Sequence, residues 1–212
     1  MTSDQKPDKQ LAEPMPAARQ LSRHVTGCYR LASLLFARNA SSESVETQVR
    51  FNASPEAVWD HIMFYEDIPG RPPFLLRVLL PRPVRTEGDK TRVGATVRCA
   101  YRGGDLVKRI TKVEAPHFLQ FEVDRQSLGI EGCVLTLGGS YQMLTNGDVT
   151  DVVLTTNYQA FLRPRSLWRP LEAILVSQLH RHILREVCSA VLPGTSATRS
   201  AAAESATPLC TP

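Results

Sequence analysis

The spacing of apolar and polar residues changes period along this chain, and the changes mark its elements. Val45, Thr47, Val49 and Phe51 alternate with Glu46, Gln48 and Arg50, the period of a strand with one buried face. The stretch Asn52-Ala-Ser-Pro then opens a helix, giving a strand-turn-helix unit over residues 45–62. Ser54 suits the N-cap, Pro55 the first helical position and Glu56 the positive end of the helix dipole. Val58, Trp59 and Ile62 supply its buried face, and Pro69-Gly70 with Pro72-Pro73 end the helical segment.

Strand-like alternation returns at 92–101, 106–113, 118–123, 133–143 and 151–160. The inward face of the first run is Val93, Ala95, Val97, Cys99 and Tyr101. In the fourth it is Leu135, Leu137, Tyr141 and Met143; in the fifth, Val152, Leu154, Tyr158 and Ala160. Gly103-Gly104 and Asn146-Gly147 mark hairpin turns, so the strands form an antiparallel meander. Over 168–192 the period lengthens to that of a helix. At about 100° per residue, Trp168, Leu171, Leu175, Leu179, Ile183, Val187 and Ala190 form one stripe opposite Ser177, Gln178, Arg181 and Arg185. A long closing helix over a curved sheet can enclose an apolar cavity.

One domain over 44–192 accounts for these elements, between a flexible extension, 1–43, and a disordered tail, 193–212, of Ala, Ser, Thr and Pro. Within the extension, Leu21, Val25, Cys28, Ala32, Leu35 and Phe36 fall near helical spacing, with Arg19, Arg23, Arg30 and Arg38 on the other side. Residues 20–38 could touch an anionic membrane surface weakly. Their few, small apolar side chains fit a helix docked on its own domain, or a frayed linker, better.

At 212 residues and 42% hydrophobic content the chain can bury one good core. A net charge of +4 comes from basic residues interleaved with 21 acidic ones, so no nucleic-acid partner is expected. The five cysteines, Cys28, Cys99, Cys133, Cys188 and Cys210, are scattered and lack metal-ligand spacing. They read as free thiols in a reducing, cytoplasmic compartment. No run approaches the roughly 20 apolar residues of a membrane span. No metal or other cofactor is expected, and oligomeric state does not follow.

Candidate chemistry is sparse. His180 and His182 lie about 200° apart on their helix and cannot easily share an ion. His182 and Glu186, four apart, could serve as an imidazole and its orienting carboxylate in acid–base catalysis. A salt bridge at the rim is the more economical reading. Glu172 falls in the apolar stripe, at the expected cavity mouth. His61 and His117 are lone histidines. Ser127 and Ser140 lack the partners of a serine hydrolase, and Asp105 and Lys108 near the hairpin read as solvated charges.

The string Ala53-Ser-Pro-Glu-Ala-Val-Trp-Asp60 after a strand, the following Tyr65-Glu-Asp-Ile-Pro69, the central strands and the long last helix resemble the START/Bet v1-like (SRPBCC) superfamily, which includes polyketide cyclase/dehydrase and lipid-transport proteins. The resemblance covers residues 45–192. It implies an α+β helix-grip fold: a curved antiparallel sheet of six or seven strands around a long C-terminal helix, with two short helices after the first strand. It also implies a cavity walled by Cys99, Tyr101, Leu137, Tyr141, Met143, Leu154, Tyr158, Leu175 and Leu179. Its ligand would be a hydrophobic small molecule, lipid, polyketide or isoprenoid-like, and three inward tyrosines suit a polar tip on it. With no compelling acid–base pair, a non-catalytic binder or carrier stands ahead of a cyclase/dehydratase acting in the same cavity. A protein-interaction module on the same fold is the third alternative.

Overall fold

The computed structural model describes residues 40–62, 64–68, 71–191 and 210–211. Strand β1 (Ser41–Phe51) leads into the short helix α1 (Pro55–Trp59), a 3-10 turn (Tyr65–Asp67) and helix α2 (Phe74–Leu79). Six strands follow: β2 (Pro83–Glu87), β3 (Thr96–Tyr101), β4 (Gly104–Glu114), β5 (Phe118–Ser127), β6 (Val134–Asn146) and β7 (Val149–Ala160). Helix α3 (Arg165–Val191) closes the fold, and a two-residue strand β8 (Cys210–Thr211) adds to the edge. The antiparallel order is β2-β3-β4-β5-β6-β7-β1-β8, so β1 crosses over to sit beside β7. This is the helix-grip arrangement. Helix α3, about 40 Å long at 27 residues, is long enough to cross the sheet it packs on.

Local signals place most elements where the pattern put them, and the short strand β2 is an addition to it. Ser54 Oγ accepts from the Ala57 amide at 3.4 Å, and Pro55 occupies the first turn of α1. Tyr101 faces Gly104 across a two-residue turn. The β6–β7 turn is one residue later than expected: Asn146 faces Val149, and Gly147, at φ 63°, takes the left-handed position. The buried core joins Phe51, Val58, Phe64, Val97, Ile110, Tyr141, Val152, Leu184 and Val187. No helix among the described residues is long and apolar enough to cross a membrane.

Four expectations change. The first is the strand at 92–101, which begins only at Thr96; Gly94 turns the chain with φ 82° and leaves Val93 exposed. The second is Leu137, expected inward but exposed. The β6–β7 register shifts between Thr136 and Gly138, and one extra residue reverses the facing of everything on one side of it. Thr136 therefore points inward before the bulge, and Tyr141 and Met143 after it. Third, Lys108 and Asp105, read as solvated charges, are buried. Leu106, Lys108 and Ile110 share one face of β4, so the lysine follows its neighbours into the core, while Asp105 is clasped by Arg98 and Arg125. Fourth, Cys188 is disulfide-bonded, against the expectation of free thiols. A disulfide sits more naturally in an oxidising compartment.

Helix α3 also departs from its expected stripe. Its second half buries Ile183, Leu184 and Val187, but its first half exposes Leu167, Leu171 and Ile174. Glu172 and His180 turn inward instead. Polar partners make that possible. Arg165 binds both Glu172 oxygens, at 2.8 and 2.7 Å, and reaches Glu43 on β1 at 3.0 Å. The closing helix is thus latched to β1 by charge at the end where its apolar stripe points away.

Candidate functional site

Between the sheet and α3 lies a cavity of about 150 Å³. Phe64, Leu106, Phe121, Leu154, Leu179 and Ile183 give it apolar walls. Backbone pairing of β5 with β6 stops at Glu122 and Gly138, and beyond that point the strands are bridged by the Gln126 side chain, which donates to the Val134 carbonyl and accepts from the Thr136 amide, both at 2.9 Å. Leu128, Val134 and Thr136, from this separated stretch, also line the cavity.

A charged cluster sits in this apolar shell. Lys108 Nζ lies 3.1 and 3.0 Å from the two oxygens of Glu66, and the Tyr101 hydroxyl donates to the same carboxylate. The side chains of Glu66 and Lys108 are 1% and 7% exposed. Each element contributes one partner: the 3-10 turn carries Glu66, β3 carries Tyr101 and β4 carries Lys108. The ammonium also stands 4.1 Å from the centre of the Phe64 ring and 5.3 Å from that of Phe121, where the ring faces favour a cation.

These contacts settle the protonation states. Burial by itself would raise the Glu66 carboxyl, but Lys108 and the hydrogen bonds from Tyr101 and Lys108 hold it below its usual range. Burial would likewise lower Lys108, and Glu66 more than offsets that, so the ammonium persists. The Tyr101 phenol is pushed well up by burial and then by the Glu66 charge; Tyr141 moves up for the same reasons. Cys99, on β3, is pushed up to about 12, by burial first and with Glu66 adding to it against Lys108. The cluster therefore holds one ammonium, one carboxylate and neutral phenols and thiol around neutral pH.

On the opposite wall, the His180 ring lies 3.0 Å from Thr47 Oγ1 through Nδ1 and 2.8 Å from Thr156 Oγ1 through Nε2. Burial lowers its pKa to about 4, so it is neutral and ties α3 to β1 and β7. Tyr158, pushed up to about 12 by burial and then by Glu172 and Glu43, completes the phenols facing the space.

Of the walls named from sequence, Tyr101, Tyr141, Leu154, Tyr158 and Leu179 line the cavity. Cys99 and Met143 are buried in the adjoining core, Leu175 is half-buried on α3, and Leu137 is exposed. His182 and Glu186 stand 4.0 Å apart, as their spacing suggested, but neither lines this cavity; His182 instead meets the edge of Tyr65 with ring centres 6.3 Å apart. Burial lowers the His182 pKa, with Glu186 opposing. Sequence reasoning missed Glu66, Lys108 and His180. Lys108 had a signal, its even-numbered place between Leu106 and Ile110; Glu66 had none, because a 3-10 turn has no periodic face.

Residues 42–178 match the family described as polyketide cyclase / dehydrase and lipid transport. No curated protein matches the sequence. Among solved structures, a truncated norcoclaurine synthase from Thalictrum flavum superposes with a TM-score of 0.52 at 11% identity, covering 74% of this chain and 98% of that one. The Thalictrum flavum enzyme in complex with dopamine and hydroxybenzaldehyde gives 0.51 at 13% identity, covering 74% of this chain and 90% of that one. At these identities the likeness concerns the fold.

Proposed function

The chain belongs to the polyketide cyclase / dehydrase and lipid transport family, and from that premise we propose that it binds a compact hydrophobic molecule with one polar end in the cavity under α3. The observation that carries this reading is the buried Glu66–Lys108–Tyr101 cluster, set among apolar walls whose other polar groups are uncharged threonines, phenols and His180. A pocket of apolar walls with a few convergent polar groups is how small-molecule sites fix orientation.

Size narrows the class. A cavity of about 150 Å³ is large enough for benzene. One ring, or a short chain, fits the space as it stands; a whole lipid does not. Charge narrows it further, because Lys108 and Glu66 neutralise each other. A neutral hydroxyl or carbonyl end suits the cluster better than a full charge, which would be desolvated without a free counter-charge.

The protonation states favour binding over acid–base turnover. Lys108 stays charged, Glu66 stays ionised, and the phenols and His180 stay neutral, so none of these groups is poised to exchange a proton near pH 7. A second reading has one specific support: a buried ammonium and a phenol in one cavity could polarise a substrate carbonyl, as a cyclase/dehydratase would need.

Ligand-observed NMR on the full chain with phenol, benzoate and toluene tests the proposal. Phenol should bind best, with its affinity reduced by Lys108→Met and abolished by the cavity-filling Leu179→Trp, while circular dichroism stays unchanged. Equal binding of all three rings to a folded Leu179→Trp protein would place the site elsewhere and end this reading.

A further inference from the structure

We propose that α2 and the segment around it form a docking surface for an anionic lipid membrane. The helix is built against the usual pattern. Of its residues Leu76 alone is fully buried, while Phe74 is 78%, Val78 63% and Leu79 52% exposed. Val84, at the start of β2, is 61% exposed. Large apolar side chains exposed in a sequence-contiguous group mark a contact surface rather than the scattered exposure normal for a folded protein.

Charge identifies the occupant. Residues 68–86 contain Arg71, Arg77, Arg82 and Arg85 and not one carboxylate; Arg85 pairs with Glu87 just beyond, at 2.9 Å, and Arg71, Arg77 and Arg82 carry the positive charge of the face. All four arginines are exposed. Apolar side chains set among arginines match the boundary between anionic headgroups and acyl chains, where Phe and Leu enter the hydrocarbon and guanidinium groups meet phosphate. Helix α2 also packs against α3, whose first half exposes Leu167, Leu171 and Ile174 at one-turn spacing, while that half turns Glu172 and His180 inward. The chain's own residues 20–38 make a poor cover for this face, since they bring Arg23, Arg30 and Arg38 and no acid of their own. A second copy of the face would set arginines against arginines.

The full chain is mixed with vesicles of phosphatidylcholine alone, or with about one-third phosphatidylserine, and sedimented. Binding is expected with the serine lipid, and it should weaken as salt rises. The double variant Phe74→Ser/Val78→Ser, and separately Arg77→Glu, should each lose about tenfold or more in affinity with the thermal melt unchanged. Val93→Ser, another exposed apolar site, should bind like the wild type. In Phe74→Trp, the added indole should shift to the blue on vesicle addition and be quenched by brominated lipid. The proposal is overturned by absence of binding, or by vesicle binding that survives in the serine double variant and so belongs to another segment such as 20–38. Self-association of the wild type abolished by the same double substitution would assign the face to a second copy and overturn it equally.

Discussion

At His180 two threonine hydroxyls and nearly complete burial hold an imidazole neutral inside the fold. Its pKa falls from an ordinary 6.5 to about 4, so the unfolded chain takes up the proton first as the pH drops. Stability from this group is full above about pH 6.5 and drains away toward about pH 4, by roughly 3 kcal/mol in all. Chemical denaturation across that range should show the advantage of the wild type over His180→Gln shrinking as acid is added. A constant gap would mean the ring titrates alike in both states. Lys108 poses the opposite problem, a charge kept inside by its partner. Lys108→Met strands the Glu66 carboxylate, at a cost of about 3–5 kcal/mol. The double variant Glu66→Gln/Lys108→Met should recover most of that loss in urea unfolding; if it is no more stable than the single variant, the pair is not the reason the lysine is buried.

For the elements, β6 shows how one residue redistributes a face. The bulge at Leu137 sends that leucine out and lets Thr136 and Tyr141 both reach the cavity. Gly138 makes the crossing possible, because a Cβ there would lie 2.4 Å from the Phe121 carbonyl oxygen on β5. Gly138→Ala should therefore cost about 1–3 kcal/mol, read as a lowered urea midpoint, by forcing β5 and β6 apart beside the cavity. An alanine variant as stable as the wild type would show that the strands absorb the methyl freely. Helix α3 teaches a related point. Its length and its apolar second half are written in the spacing of Ile183 and Val187, but the rotation of its first half is set by the Arg165–Glu43 and His180–threonine contacts, whose partners on β1 and β7 are more than twenty residues away or more than a hundred.

Over the whole molecule, the sheet wraps α3 with β1 paired to β7, so the first and last long strands close the architecture together. We propose a domain over 44–192, a stretch that should survive limited trypsin treatment as one fragment, identified by mass spectrometry. Early cuts between residues 96 and 160 would contradict it. The same closure joins residues far apart in the chain at the cavity: Glu66 and Lys108 meet across 42 positions, and His180 and Thr47 across 133.

The sequence by itself determined six of the strands, their turns to within a residue and the long helix, because hydrophobic period, the Ser54 cap and glycine turns act over a few residues; the short edge strand β2 showed no such period. It also determined the family, through the string around Ser54 to Asp60, and five of the cavity-lining side chains, four because alternation fixes the face along each unbroken run of strand and Leu179 through the helical period. Tertiary structure decided the rest. A bulge reversed the face at Leu137, and the expected His182–Glu186 pair formed outside the cavity. Lys108 and Glu66 became a buried pair because folding brought a 3-10 turn over β4. Local pattern carries the preference of each residue for water; a buried charge depends on a partner that only the closed fold supplies.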